Sequence, residues 1–574
     1  MFSCTKTRAR CLAAACGAAA GAAVFLWLYG AAVLDPGWDA WILNGYDEWD
    51  IQQHYAGWLL FRNSHWTFPL GFADTIAAPD GTAISYTDSL PWLSIFFKLL
   101  RGMLPATFQW FGLYTLLCFA LQGAAGALLC TRGARCGAPL AVGALLSGAL
   151  FACLPTLWER AFRHVALASQ WLFLFALYAF LEQRAALRSG GRAGAWPWWF
   201  AVLGFAAVGI HPYFLPPVMV CALLAAVERG RVAHAWGRAA LDFLAAMAAA
   251  VLGGVLCGAI GAGGGLSRGG YGEFSMNANA LWNPSSRGDY TWSRLLPVLP
   301  QQTSQYDGFN YLGLGVLALL AAALVLAAAA CLRRPAAVRG WWGRNWPVAV
   351  ACAFLTAFAL SNRVTWGMAG FTLPLPKALL ALCGIFRSSG RMFYLVAACM
   401  VLFGVYTLRG ACAWSHPAAG RGRALACGLL AVVCAVQLWD LSAVAAQKRA
   451  LFAQEPAPNV VTAAETQTLG AGHTRLLAAS PLREDRTRRL AILAGKQGLA
   501  TNISIAVSGQ YPAAEALALQ AGEQLLAGQY DPETVYVTTD GAQYEQWQSI
   551  YAGDPGVTLF VTDSCYFLVP QAAG

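Results

Sequence analysis

Asp47, Glu48, Asp50 and His54 fall within eight consecutive positions, just after the first strongly apolar stretch of the chain. In a chain that is only 11% charged, three carboxylates and an imidazole beside a membrane span mark a candidate site. Asp47, Asp50 and His54 are spaced i, i+3, i+7, which aligns them on one face if the segment is helical. A carboxylate so placed can take the proton of a hydroxyl, with or without a divalent cation. Asp50 leads as the catalytic candidate, followed by Glu48 and Asp47. The same residues also fit an outer loop that is acidic because basic residues are disfavoured there.

Further candidates stand at the ends of later apolar runs. Asp88, in Tyr86-Thr87-Asp88-Ser89-Leu90-Pro91, reads first as a helix N-cap, because Asp or Ser before an early Pro is the usual start signal. Glu159 and Arg163 are spaced to pair at i, i+4, leaving His164 beside them as the residue to test. Phe386-Arg387-Ser388-Ser389-Gly390-Arg391 offers two guanidinium groups and a helix start, which suit a lipid phosphate; interfacial snorkelling is the rival explanation. Gln305 to Gly313, containing Asp307 and Asn310, is polar and aromatic and could line a groove for a hydroxylated ring, or form an interfacial belt.

The elements that must hold these residues are membrane helices. The chain is 58% hydrophobic over 574 residues, with repeated apolar runs of about 20 residues that one soluble core cannot hide. Runs at 11–34, 106–130, 137–155, 167–182, 196–211, 213–228, 239–263, 311–331, 346–361, 393–409 and 424–445 predict about eleven spans. The first is long enough to span and shows no clear cleavage site, so it reads as an uncleaved helix rather than a signal peptide. The runs 196–211 and 213–228 meet at His211-Pro212 and read either as two spans or as one kinked helix. Residues 89–104 predict a helix lying in the interface, with Trp92, Phe96 and Phe97 sunk in the headgroup boundary.

Charge orients the bundle. Arg132/Arg135, Arg184/Arg188/Arg192, Arg229/Arg231/Arg238, Arg333/Arg334/Arg339/Arg344 and Arg409/Arg421/Arg423 occupy every second loop. The loop 35–88 instead has eight acids against Arg62 alone, which puts the amino terminus inside and 446–574 outside. The formal charge of +10 is spread over these short loops, which argues against nucleic acid as a partner. Most of the 17 cysteines sit in apolar runs and act as small hydrophobes. Two domains follow: a membrane domain over 1–445, with its outer loop at 35–104, and a small extracytoplasmic α/β domain over 446–574. In the latter, 535–538 and 558–561 read as strands, 542–551 as a helix, and 565–569 as a hairpin partner.

No phosphate loop, dinucleotide fingerprint, Cys-x2-Cys pair or His-Glu-x2-His is present. The pattern resembles the GT-C class of membrane glycosyltransferases. More narrowly, Asp50-x2-Gln53-His54-Tyr55-x-Gly57-Trp58, Phe61-Arg62-x3-Trp66-x-Phe68-Pro69-Leu70-Gly71, Tyr86-Thr87-Asp88-Ser89 and Asn310-Tyr311-Leu312-Gly313 are similar to a group of large bacterial membrane proteins related to that class. The resemblance covers 1–445. It implies a mainly α, GT-C-like bundle in the bacterial inner membrane that transfers a sugar, with inversion, from a polyprenyl-phosphate donor to a glycan, lipid or protein acceptor. Asp50 would be the base and Arg387 and Arg391 the donor-phosphate ligands. His54, Arg62, Asp88, Arg163, His164, Asp307 and Asn310 would bind substrate, and Asp50 and His164 would hold Mg or Mn. A transporter or flippase, or a noncatalytic partner in envelope polysaccharide assembly, is the alternative from another class; a transporter predicts ionisable residues at mid-span depth.

Overall fold

The computed structural model describes residues 2–44, 49–134, 136–261, 269–288, 290–412, 419–455, 457–506 and 511–571. The chain opens with α1 (Phe2–Tyr29). The segment that follows folds into α2 (Ala40–Asn44), α3 (Trp49–Asn63), the short strands β1 (Phe72–Ala73) and β2 (Thr82–Ala83), and α4 (Pro91–Leu99). The bundle continues through α5 (Phe111–Cys130), α6 (Ala138–Ala152), α7 (Pro155–Arg160), α8 (Trp171–Arg188), α9 (Trp196–Ile210), α10 (Leu215–Ala233), α11 (Trp236–Leu256), α12 (Leu314–Arg333) and α13 (Pro335–Leu360). A hairpin of β3 (Arg363–Trp366) and β4 (Ala369–Thr372) and the short α14 (Lys377–Cys383) lead into α15 (Phe393–Ala411), α16 (Ala419–Asp440) and α17 (Ser442–Leu451).

All eleven apolar runs fall on helices, but fewer have crossing length. Among the described residues eight helices are long and apolar enough to cross a membrane: α1, α5, α8, α10, α11, α12, α15 and α16, some with a turn added. Helices α6 and α9 have 15 residues each, about 22 Å against a hydrocarbon thickness of about 30 Å. Helix α13 is longer but starts with a charged stretch that includes Arg339 and Arg344. The protein is therefore a multi-pass membrane protein with eight helices of crossing length, and the count of eleven full spans does not follow from the helix lengths. The break at His211 separates two helices, α9 and α10, that pack on each other through a turn at Pro212–Phe214. Trp92, at the start of α4, packs on the bundle. Its ring stacks on Phe205 of α9 at 4.6 Å and its indole N–H donates to the Phe205 carbonyl at 3.1 Å.

The carboxy-terminal region is an open sheet with helices on it. It runs β5 (Arg475–Ala478), α18 (Glu484–Gln497), β6 (Ala500–Thr501), α19 (Pro512–Leu526), β7 (Thr534–Thr538), α20 (Gly541–Tyr551), β8 (Val557–Thr562) and β9 (Cys565–Pro570). Strand order is β6-β5-β7-β9-β8, with β6, β5 and β7 parallel and β9 antiparallel to both its neighbours. This unit grips the segment between α1 and α5. The Thr501 N–H donates to the Thr75 carbonyl at 3.1 Å, and Ala78 N–H returns to the Thr501 carbonyl at 2.8 Å, so the loop extends the sheet edge beside β6. Helix α18 lies along α3, and one apolar cluster is continuous from Phe25 through Trp58 to Leu490, Ile492 and Val535.

Candidate active site

Helix α3 starts beside the site and places Asp50 in its first turn, where the helix N-terminus favours a carboxylate. His54 follows one turn later on the same face. Gly57 explains how the Tyr86-Thr87-Asp88-Ser89 segment comes so close: a Cβ there would collide with the Thr87 and Ser89 hydroxyls. The Ser89 hydroxyl donates to the His54 carbonyl at 2.7 Å, which pins Asp88 beside the helix. Asp88 adopts a left-handed conformation with φ 55°, which Asp tolerates better than most residues. It is not the N-cap that its sequence context predicts; Leu90 occupies the residue before α4, and the Asp88 carboxylate faces His211, whose Nε2 lies 3.4 Å away.

His164 arrives from the turn after α7. Its Nε2 stands 3.2 Å from Asp50 Oδ2 and its ring centroid 6.0 Å from that of His54. Donor atoms of His54, Asp88 and His164 all lie within 4.8 Å of one another. Both ring nitrogens of His54 and the Nδ1 of His164 are buried without a hydrogen-bond partner. Orphaned imidazole nitrogens converging on a carboxylate fit the donor set of a divalent cation, and imidazole suits a transition metal better than Mg. The surroundings also fit. A ligating imidazole commonly gives its other N–H to a carboxylate, as His164 can to Asp50 through Nε2, leaving its Nδ1 lone pair free. Asp50 lies beside this trio, in reach of it through His164.

These environments set the charges. Burial pushes the Asp50 carboxyl up to about 6, against the pull of Arg488, with a further push from Asp88. Burial also lowers His54 to about 4 and His164 well below its ordinary value, so both are neutral and carry lone pairs at neutral pH. Burial alone would raise Asp88, but the hydrogen bond from His211 holds it below the usual carboxylate range. The Tyr213 N–H donates to His211 Nδ1 at 3.2 Å, which fixes the tautomer with a proton on the nitrogen that faces Asp88.

Asp50, Asp88 and His164 open into a cavity of about 480 Å³ that also reaches Asp307, Arg387 and Arg391. At that second end Asp307 is clamped. Arg160 Nη2 lies 2.6 Å from its Oδ1, and Arg391 Nη2 lies 3.0 and 2.9 Å from its two oxygens. Although burial opposes it, the Arg391 and Arg160 guanidinium groups hold the Asp307 carboxyl well below the usual range. Arg387 packs over the Phe274 ring at 5.4 Å and, among the described residues, has no carboxylate partner. Arg163 lines the cavity and pairs with Glu159, as their spacing predicts.

Three predicted residues lie elsewhere. Arg62 is buried away from the cavity and donates to the carbonyls of Arg101, Leu104 and Pro105, tying the end of α3 to the segment before α5. Asn310 bridges the Gly308 and Gly390 carbonyls at 3.0 Å each, so it supports the Asp307 end from behind. His54 sits behind Asp88 and His164, fully buried, as a candidate ligand rather than a substrate contact. Asp47 and Glu48 lie outside the described residues.

A family model described as "Domain of unknown function (DUF6311)" matches residues 18–442, and its companion, the DUF6311 C-terminal domain, matches 465–570. The chain belongs to the DUF6311 family. No curated protein matches it. Among solved structures it is similar to the Archaeoglobus fulgidus oligosaccharyltransferase in the apo form, at 12% identity and a TM-score of 0.43, covering 95% of this chain and 72% of that one. It is also similar to that archaeon's oligosaccharyltransferase AglB in complex with an inhibitory peptide and a dolichol-phosphate, at 12% identity, the same coverages and a TM-score of 0.41.

In this DUF6311 chain the sequence reading missed Arg160, His211, Tyr213 and Arg287 as cavity residues. His211 was visible only as part of a helix break, and its role as the partner of Asp88 depends on α9 and α4 meeting in space. Arg160 was one charge in a loop cluster, and nothing in its spacing pairs it with Asp307, 147 residues away.

Proposed function

We propose that the protein is a membrane glycosyltransferase that moves a sugar from a polyprenyl-phosphate donor to a glycan, lipid or protein acceptor at the outer face of the bacterial inner membrane, with inversion. The observation that carries this reading is the convergence of Asp50, Asp88 and His164 with Arg387 on one cavity between the bundle and its first outer loop. In the reaction the acceptor hydroxyl oxygen bonds to the anomeric carbon as the bond from that carbon to the phosphate oxygen breaks. Asp50 takes the hydroxyl proton; its carboxyl, pushed up to about 6, is a stronger base than an ordinary one and is still ionised at neutral pH. Arg387 receives the departing phosphate, because among the described residues its guanidinium lacks a carboxylate and can pair with two phosphate oxygens. Arg391 is already held by both oxygens of Asp307 and acts chiefly by fixing that wall.

His54, Asp88 and His164 would hold a divalent cation, which when bound supplies Lewis-acid stabilisation of oxyanion charge. Orientation follows from charge: Lys6, Arg8 and Arg10 precede the apolar part of α1 and favour the inside. The carboxy-terminal sheet packs on α3 in the first outer loop, and so shares the outer side with the cavity.

The test compares the purified parent with its Asp50→Asn variant on undecaprenyl-phosphate sugars. Loss of a general base lowers turnover about 10²- to 10⁴-fold. Equal turnover in two well-folded proteins removes Asp50 from the mechanism.

A further inference from the structure

A second cavity, of about 390 Å³, lies in the carboxy-terminal domain outside the carboxyl ends of the parallel strands β5 and β6. Small-molecule sites run from about 300 to 1,000 Å³. The topology leads to this place. From β5 the chain steps through α18 to β6 on one side, then returns through α19 past β5 to β7 on the other. Open parallel sheets bind ligands beyond their strand carboxyl ends, where the connections part in this way. Here Ala478 ends β5, Thr501 ends β6, and the first turns of α18 and α19 supply walls.

The lining selects the chemistry. Among the described residues that line this cavity none is Lys, Arg or His, and the exposed Glu515 is the one acid. The start of α19 is already capped, because Asp80 Oδ2 accepts from the Ala514 N–H at 2.8 Å. Nothing in this lining attracts an anion. The polar groups have also spent most of their protons on the protein. The Thr487 hydroxyl donates to the Arg483 carbonyl at 3.0 Å, and the Ser480 and Thr538 hydroxyls share one bond at 2.7 Å. Asn502 donates to the Ala478 carbonyl at 3.0 Å and accepts from its N–H at 2.9 Å, joining the ends of the two strands. What is left is chiefly acceptor capacity: hydroxyl lone pairs and the two oxygens of Glu515, for which the described residues supply no partner.

A ligand that fits must therefore donate, and must also lay carbon against Leu482, Ala518 and Leu519, the last 61% exposed. A pyranose does both, since its hydroxyls donate outward and its ring C–H faces are apolar. A compact ammonium ion donates but leaves the apolar wall uncovered. The Tyr511 hydroxyl at the edge of this cavity shares a hydrogen bond with Thr82 at 3.0 Å, and four residues further on Tyr86 lines the cavity of Asp50 and Asp88. Four residues span at most about 14 Å.

We propose that this crevice binds a neutral sugar unit of a glycan. Sugar binding stands on the cavity alone, whereas the glycan's being the acceptor, held beside the reaction centre, rests on the glycosyltransferase reading.

Saturation-transfer difference NMR on the full chain in phospholipid nanodiscs, free of sugar-headed detergent, tests it. Glucose, galactose and N-acetylglucosamine are the neutral probes, glucuronic acid the anionic one, spermidine the cationic one and tetraalanine the peptide. The expected result is transfer to the ring protons of at least one neutral sugar, stronger than to glucuronic acid. That signal should fall severalfold in Ala518→Trp, which fills the cavity, and in Glu515→Ala, which removes an exposed acceptor without touching the core. Asp50→Asn is expected to keep it. No signal from any neutral sugar, a signal equal in the parent and both cavity variants, a stronger one from glucuronic acid, or displacement by equimolar spermidine or tetraalanine overturns the site. If the cavity variants lose the sugar while the parent turns over no undecaprenyl-phosphate sugar, the sugar site stands and the glycosyltransferase reading falls.

Discussion

At one end of the cavity Asp307 is held by two guanidinium groups, whereas at the other Asp50 and Asp88 face neutral or hydrogen-bonding imidazoles. Both ends are buried and both are charged. At the Asp307 end Asp307, Arg160 and Arg391 each have an opposite charge within hydrogen-bond distance, so their energy is already spent on holding α7, the loop before α12 and the start of α15 together. At the histidine end ring nitrogens lack partners, and a carboxyl sits near its ionisation point. Satisfied networks build walls, while unsatisfied donors and acceptors await a ligand or a proton.

The largest effect expected from breaking this contrast is at the clamp. Asp307→Asn leaves Arg160, whose side chain is 2% exposed, without its counter-charge. Removing one partner of a buried ion pair costs about 3–5 kcal/mol. A marked fall in the thermal unfolding midpoint of the detergent-solubilised protein should result, with Asp50→Asn close to the parent in the same measurement. An Asp307→Asn protein as stable as the parent would show that the clamp is not a wall.

A smaller effect separates the two ends by ligand rather than by stability. His211 orients Asp88 without belonging to the donor trio, and loss of such a supporting partner typically weakens metal affinity about 10- to 100-fold. Titration of Mn into the parent and the His211→Gln variant, followed by electron paramagnetic resonance, measures this. The Arg391→Lys protein should bind Mn as the parent does, since Arg391 engages the other end. Equal Mn binding by parent and His211→Gln would remove the trio as a metal site.

The same contrast explains what could be read in advance. Asp50, His164, Arg387 and the Glu159–Arg163 pair were legible because membrane chemistry concentrates rare charges at helix ends, and because i, i+4 spacing survives as a contact. The strands at 535–538 and 558–561, with their hairpin partner, were legible from apolar runs, whereas β5 and the two-residue β6 carried too short a signal. Arg62 misled because a basic residue in an acidic loop looks like a ligand contact, when it serves three carbonyls that no sequence pattern reveals. Asp88 misled in the opposite sense: local spacing favoured a cap, and a tertiary contact with His211 won.

The smallest expected effect lies behind the clamp, at Asn310. Its side-chain amide joins the Gly308 and Gly390 carbonyls, and so couples the loop carrying Asp307 to the turn carrying Arg391. Each such neutral bond contributes about 0.5–1.5 kcal/mol net, less than an ion pair in the same place. Asn310→Ala should therefore lower the unfolding midpoint modestly and leave Mn binding at the histidine end unchanged, because no atom of the trio touches it. If Asn310→Ala instead weakened Mn binding as strongly as His211→Gln, the two ends would be one coupled unit. The division between a structural end and a reactive end would then fail.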